Sequence, residues 1–271
     1  MPALRRYVWV LVLTGIFAIS SNAFAASGKT VRIGYLEHPG SGLLLLASVD
    51  RLFEDQGVRA ILVKYRDSGK GLTDLVGGKI DAGVFAIDAT LKRIAAGTHI
   101  RIFGGGGTVQ TADLIADLDE IAAKEQTGKG VVLVVADHSG ILGKDLQVRL
   151  VTALIEAYRK LQNDPVSAWG KVEKKFSLSA GEATIHFDPN PDYWRLEQLW
   201  RFLGLQREGM RRDFLAGQVN EEIYCDALDE LLDKDGRKDP LLLRLSSRAV
   251  CVPDCCPTKS KNKTATKEGL L

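Results

Sequence analysis

The strongest constraint on this chain is an alternation. From Val31 to Phe103, short apolar runs suited to strands take turns with amphipathic runs suited to helices, and glycines or polar turns separate them. Val31 to Tyr35 (VRIGY) reads as a strand. Ser41 stands where it can cap a helix from Gly42 to Gln56, whose Leu45, Val49, Leu52 and Phe53 recur at helical spacing. Gly57 suits the left-handed residue that ends such a helix. Val58 to Tyr65 then returns as a strand, DSGKG turns, and Leu72 to Val76 makes a short helix. Ile80 to Phe85 is the third strand, Asp88 caps a helix to Ala96, and Ile100 to Phe103 is the fourth strand. Strands and helices alternating at this spacing predict an α/β domain with a mostly parallel sheet covered on both faces.

In such a sheet the ligand crevice lies beyond the carboxyl ends of the strands. Three strand-to-helix loops end there: Leu36 to Ser41, Asp67 to Gly71, and Ala86 to Thr90. Unpaired N–H groups at helix starts, with the positive end of the helix dipole, make a cradle for an anionic or polar ligand.

The first residues read as an export signal. Arg5 and Arg6 precede an apolar run from Tyr7 to Ile19, and Ala23-Phe24-Ala25 supplies a small-x-small cleavage pattern. The run is shorter than the roughly 20 residues a spanning helix needs. Cleavage after Ala25 and a periplasmic location are therefore expected. Hydrophobic residues make up 45% and charged residues 26% of the chain, ordinary values for a packed domain. The net charge of +2 comes partly from the signal arginines, and Lys and Arg form no basic stripe, which excludes nucleic acid as the expected partner.

Two phrases, VRIGYLEHPGSGLLLLASVDRLFEDQGV and YRDSGKGLTDLVGGKIDAGVFAIDATLKRIAAGTHIRI, resemble the substrate-binding proteins of ABC transporters of the nitrate, sulfonate and taurine type, related to the thiamine-pyrimidine binding proteins. The resemblance resumes at Gly130 with GVVLVVADHSGILGKDLQVRLVTALIEAYRKLQNDPVSA, similar to that family's returning strand and long helix, and extends to about Leu232. It implies a periplasmic-binding-protein-like lobe followed by a helical C-terminal part. It also implies His38, Ser41, Ser68, Gly69 and Asp88 as ligand contacts. The implied partners are a small polar or anionic solute and a membrane permease or other periplasmic protein, with a second copy of the chain left open. No cofactor and no metal is implied, and binding rather than catalysis is expected.

One departure stands out. Where the family inserts a second lobe, on the order of a hundred residues, this chain has only GGGGTVQTADLIADLDEIAAKEQTGKG, enough for a glycine loop and an amphipathic helix from Ala112 to Glu125. The expected organisation is a signal peptide over 1–25, a single lobe over 26–234 and a Cys-containing, Lys-rich tail over 235–271. Within the lobe, 26–110 is the α/β first half, 111–130 the short helix replacing the second lobe, and 131–234 the returning strand and helices. A single lobe encloses only half of what a two-lobed receptor buries. The alternative expectation is thus an accessory or interaction protein whose ligand cleft is lost or covered.

Other motifs are weaker. Gly104 to Gly107 lacks the register of a nucleotide loop, Asp137-His138-Ser139 reads as a strand-to-helix turn, and the four histidines show no metal spacing. Leu196, Leu199, Trp200 and Leu203 lie at helical spacing and predict core packing. Asn220 to Leu232 reads as a capped amphipathic helix, and the stretch after Asp233 opens with a turn-rich segment and closes with a polar, Lys-rich tail from Thr258. Cys225, Cys251, Cys255 and Cys256 are disulfide candidates in an oxidising compartment, with the pairing left open.

Overall fold

The computed structural model describes residues 29–110, 130–137, 142–178, 184–211 and 213–249. The expected signal peptide, the helix from Ala112 to Glu125, His138 and Ser139, and Cys251, Cys255 and Cys256 lie outside the described residues.

The elements run in this order: β1 (Lys29–Leu36), a 3-10 turn (Pro39–Ser41), α1 (Gly42–Val49), α2 (Leu52–Asp55), β2 (Val58–Tyr65), α3 (Ser68–Val76), β3 (Ala82–Ala86), α4 (Ile87–Ala95), β4 (Ile100–Gly104), β5 (Gly106–Gln110) and β6 (Val131–Ala136). The second half adds α5 (Lys144–Asn163), α6 (Pro165–Phe176), β7 (Thr184–Asp188), α7 (Tyr193–Phe202), a 3-10 turn (Ala216–Gln218), α8 (Glu221–Lys234) and α9 (Pro240–Arg248). A five-stranded sheet takes the order β2-β1-β3-β6-β4, and β5 and β7 form a separate two-stranded ribbon.

β1 pairs parallel with β2 and β3, whereas β6 runs antiparallel between β3 and β4. The mostly parallel α/β sheet read from the sequence is the one observed. From β1 the chain steps one way to β2 and then back past β1 to β3, so right-handed crossovers put α1 and α3 on opposite faces. α3 packs on β3, β1 and α4, while α1 packs with α5 and α6. β6 is buried along its whole length, as expected for a strand covered on both faces.

Three glycines set the fit between sheet and helix. A Cβ on Gly71 or Gly83 would lie 2.1 Å from a ring atom of Phe85, and one on Gly34 would lie 2.9 Å from the same ring. β1, α3 and β3 therefore close on Phe85 from three sides, and Tyr65 meets it edge-on at 5.8 Å between centroids. The Tyr65 hydroxyl donates to Asp74 on α3, which also fixes the end of β2.

Several boundaries differ from the sequence reading. The first helix is broken after Val49, where Arg51 takes a left-handed φ of 60° before α2 begins. Gly57 is left-handed as expected, at φ 69°. α3 begins at Ser68 rather than Leu72, because Asp67 accepts from the Lys70 N–H at 2.6 Å and turns SGKG into its first turn. α4 starts at Ile87 directly off β3, so Asp88 lies inside the first turn and does not cap. Asn220 precedes α8 but makes no side-chain cap bond. The segment read as turn-rich holds α9: Asp239 accepts from the N–H groups of Leu241 and Leu242, Pro240 fits the first helical position, and Leu242 and Leu245 are buried. β7 was not foreseen.

Replacing Gly71 with alanine should lower stability by about 1–3 kcal/mol through overpacking against Phe85. Gly170→Ala, at an exposed position in α6 with open space around it, should raise stability by about 0.5–1 kcal/mol. Urea midpoints of the two variants measure the contrast; equal shifts would mean that Phe85 is not clamped.

Candidate functional site

The strand order reverses between β1 and β3, and the loops leaving these strands meet at their carboxyl ends. His38 is extended and its Nδ1 accepts from the Gly40 N–H at 3.0 Å, which folds the 3-10 turn. Partial burial holds the His38 imidazole below its ordinary pKa. Ser41 occupies the position before α1 but with helical rather than extended backbone, and it makes no cap bond. Its side chain is only 1% exposed and its Oγ has no hydrogen-bond partner among the described residues.

The loops after β2 and β3 are tied together. The Ser68 Oγ accepts from the Ala86 N–H at 3.2 Å. The Gly69 carbonyl accepts from the Thr73 hydroxyl at 2.8 Å and, more distantly, from Arg93. Asp88 pairs with Lys92 one turn along α4 at 3.1 Å. Ser68, Gly69 and Asp88 are half-buried. The structure thus ties the α3 and α4 starts together by a hydrogen bond and lays the β5–β7 ribbon over the α1 start.

β5 and β7 lie across the α1 start, so close that a Cβ on Gly40 would come 2.7 Å from the Gly107 carbonyl oxygen. A Cβ on Gly42 would strike the rings of Trp169 and Phe187 at 2.6 and 2.7 Å. The tetraglycine belongs to this crossing. A Cβ on Gly105 would lie 2.2 Å from the carbonyl oxygens of Asp188 and Asn190, and one on Gly106 2.8 Å from that of Val131. Backbone meets backbone there, and a side chain would wedge the ribbon off the sheet.

Sequence reasoning missed the cation beside the α4 start. Arg195, half-buried in the first turn of α7, donates to the Thr108 hydroxyl at 2.5 Å. It makes no ion pair among the described residues; Asp192 and Asp188 act on it only from farther away, and burial holds its pKa below the ordinary arginine value. With Ile87, Gly106, Thr108 and Asn190 it borders a cavity of about 20 Å³. The Ile87 N–H donates to the Gly130 carbonyl at 3.0 Å, leaving the next N–H groups of the first turn without intrahelical partners. A signal was present: an arginine in the first turn of an otherwise apolar helix face, YWRLEQLW.

Elsewhere, Asp137 pairs with Arg101 at 2.8 Å, and Cys225 lies half-buried on α8. Leu196, Leu199 and Trp200 are core residues, as their spacing predicted. No helix among the described residues is long and apolar enough to cross a membrane.

No protein-family model and no curated protein sequence matches the chain. Solved structures do. The periplasmic nitrate-binding protein of Synechocystis aligns at a TM-score of 0.54 and 12% identity, over 75% of this chain and 89% of that one. A conserved Candida albicans gene product with the generic periplasmic binding protein fold aligns at 0.52 and 12%, over 71% and 96%. The zinc-bound ligand-binding component of an ABC-type import system from Staphylococcus aureus aligns at 0.51 and 13%, over 73% and 99%. The chain has the fold of periplasmic binding proteins.

Two outcomes follow from the geometry of the β1 loop. Ser41→Ala should leave stability unchanged or raise it slightly in thermal melts, whereas loss of a working cap would cost about 1 kcal/mol. His38→Asn keeps an acceptor for the Gly40 N–H but removes the titrating ring. With the folded pKa below the ordinary 6.5, the unfolded chain takes up the proton first. The native protein should therefore lose stability relative to His38→Asn as pH falls through that value. A melting-temperature difference that stays flat from neutral to mildly acidic pH would contradict this.

Proposed function

We propose that this chain is an exported solute-binding-type protein that holds a small polar or anionic molecule for an ABC-type permease. One observation carries the reading: the Arg195 guanidinium, half-buried beside the α4 start, bonded to the Thr108 hydroxyl and without an ion pair among the described residues. A desolvated cation beside the positive end of a helix favours an anionic oxygen. The hollow of about 20 Å³ admits one water-sized group. One ligand oxygen would enter it while the rest of the molecule stays at the rim, near Ser68, Gly69 and Asp88. Ligand burial would then be completed by a second covering surface, as hinge closure does in two-lobed receptors. The fold shared with solute-binding proteins supports binding over catalysis.

A second reading also has an observation behind it. The ribbon lies over the α1 start, with Gly107 against Gly40 and the Phe187 ring against Gly42, and Ser41 is buried beneath it. That geometry favours an accessory protein whose cleft has been covered and whose surface engages a periplasmic partner.

Thermal-shift titration of the chain lacking residues 1–25 against nitrate, alkyl sulfonates and carboxylates separates the two. A true ligand at a hundred times its dissociation constant adds about 2.7 kcal/mol to stability. Arg195→Ala should remove at least 90% of the affinity, the order expected for a lost charged hydrogen bond. A shift that persists in Arg195→Ala would overturn the proposed site. A flat response across all three anion classes would leave the accessory reading standing.

A further inference from the structure

The hollow at Arg195 carries negative charge in its own lining. Asp188 and Asp192 border it together with the guanidinium, and neither carboxylate makes an ion pair among the described residues. Both belong to the stretch Asp188-Pro189-Asn190-Pro191-Asp192 that joins β7 to α7, where each polar side chain folds back on the backbone two or three residues ahead. The Asp188 Oδ1 accepts from the Asn190 N–H at 2.9 Å, the Asn190 Oδ1 from the Asp192 N–H at 3.2 Å, and the Asp192 Oδ1 from the Arg195 N–H at 3.2 Å. The two intervening prolines fix φ. The Gly105 N–H donates to the Pro189 carbonyl at 2.8 Å, which ties the turn to the start of the ribbon. Asp192 is held in the left-handed region, at φ 47°, a backbone that a non-glycine residue keeps only where its surroundings enforce it. An ordinary surface carboxylate swings away from an arriving anion; these two are bound to their own turn.

That arrangement limits the charge Arg195 can accept. One guanidinium and the partial positive charge of the α4 start stand with two fixed carboxylates around the same small space. The hydrogen bonds that Arg195 donates to a ligand oxygen offset the repulsion felt by a single negative charge. A second charge on the ligand brings no further donor into reach, and it meets two full negative charges against one full positive and one partial.

We propose that the hollow takes singly charged oxyanions and rejects doubly charged ones, with Asp188 and Asp192 as the residues that set this specificity. The inference rests on the Arg195 site proposed above and names the charge of its ligand. Discrimination of this kind comes from a repulsive element built against the wrong ligand, beside the attractive one for the right ligand.

Methanesulfonate and sulfate are the probes, since both are tetrahedral and they differ chiefly by one negative charge. Calorimetry at about pH 8 and low ionic strength should show methanesulfonate binding at least about tenfold more tightly than sulfate. Asp188→Asn and Asp192→Asn each keep the acceptor oxygen that folds the turn, and asparagine tolerates the left-handed backbone at position 192. Each variant should tighten both probes. The factor for sulfate should be about the square of the factor for methanesulfonate, because Coulomb energy scales with ligand charge. Sulfate binding as tight as methanesulfonate, or equal factors for the two probes in both variants, would overturn the inference and leave the Arg195 site standing. Binding of neither probe at millimolar concentration would also overturn it, while the nitrate and carboxylate arms of the titration above still decide the Arg195 site itself.

Discussion

The arrangement at the sheet's carboxyl edge depends on one aromatic ring set among glycines. Phe85 is fully buried, and it can be so only because Gly34, Gly71 and Gly83 offer no side chain where the ring lies. The consequence is positional. α3 is drawn against β1 and β3 at its first turn, which brings Ser68 within hydrogen-bond distance of the Ala86 N–H. The two helix starts are thereby fixed to each other to within the tolerance of a packed core. Without that packing the loops after β2 and β3 would be two independent surface turns.

The ribbon of β5 and β7 imposes the opposite effect on the α1 start. A run of glycines lets two backbones cross at distances that no Cβ tolerates, and the ring of Phe187 comes down over Gly42 and Gly107. Trp169 is held against Gly42 beside that ring.

How much of this the sequence disclosed depends on the range of the interaction. The β1–α1 order, Gly57 and the strands β2 and β4 were legible because apolar periodicity and glycine conformation are local properties. Caps were less so. Ser41 and Asp88 are residue types that favour caps, but the 3-10 turn at Pro39 took Ser41 out of the extended backbone a cap needs, and the immediate passage from β3 to α4 left Asp88 two positions past the cap. Asp67 and Asp239 capped instead, in segments read as turns. The position of Arg195 in its helix was legible, but its partner was not, since Thr108 lies 87 positions away in the chain. The tetraglycine was visible as an anomaly, yet its reason, contact with the carbonyls of Asp188 and Asn190, is wholly tertiary.

Arg195 also bears on why the α4 start is the better of the three as a binding place. A guanidinium carries five N–H donors, and among the described residues Thr108 engages one of them. Desolvating such a group costs free energy unless charge or hydrogen bonds compensate. Asp188 and Asp192 offset part of the cost at a distance, which keeps the cation ionised without occupying its donors. A direct ion pair would have made the same arginine structural: compare Arg159, which bonds Glu156, Asp235 and Asp239 and staples α5 to the α8–α9 turn. The two arginines differ in their partners, and in the proposed function it is the remaining donors of Arg195 that an incoming anion would engage.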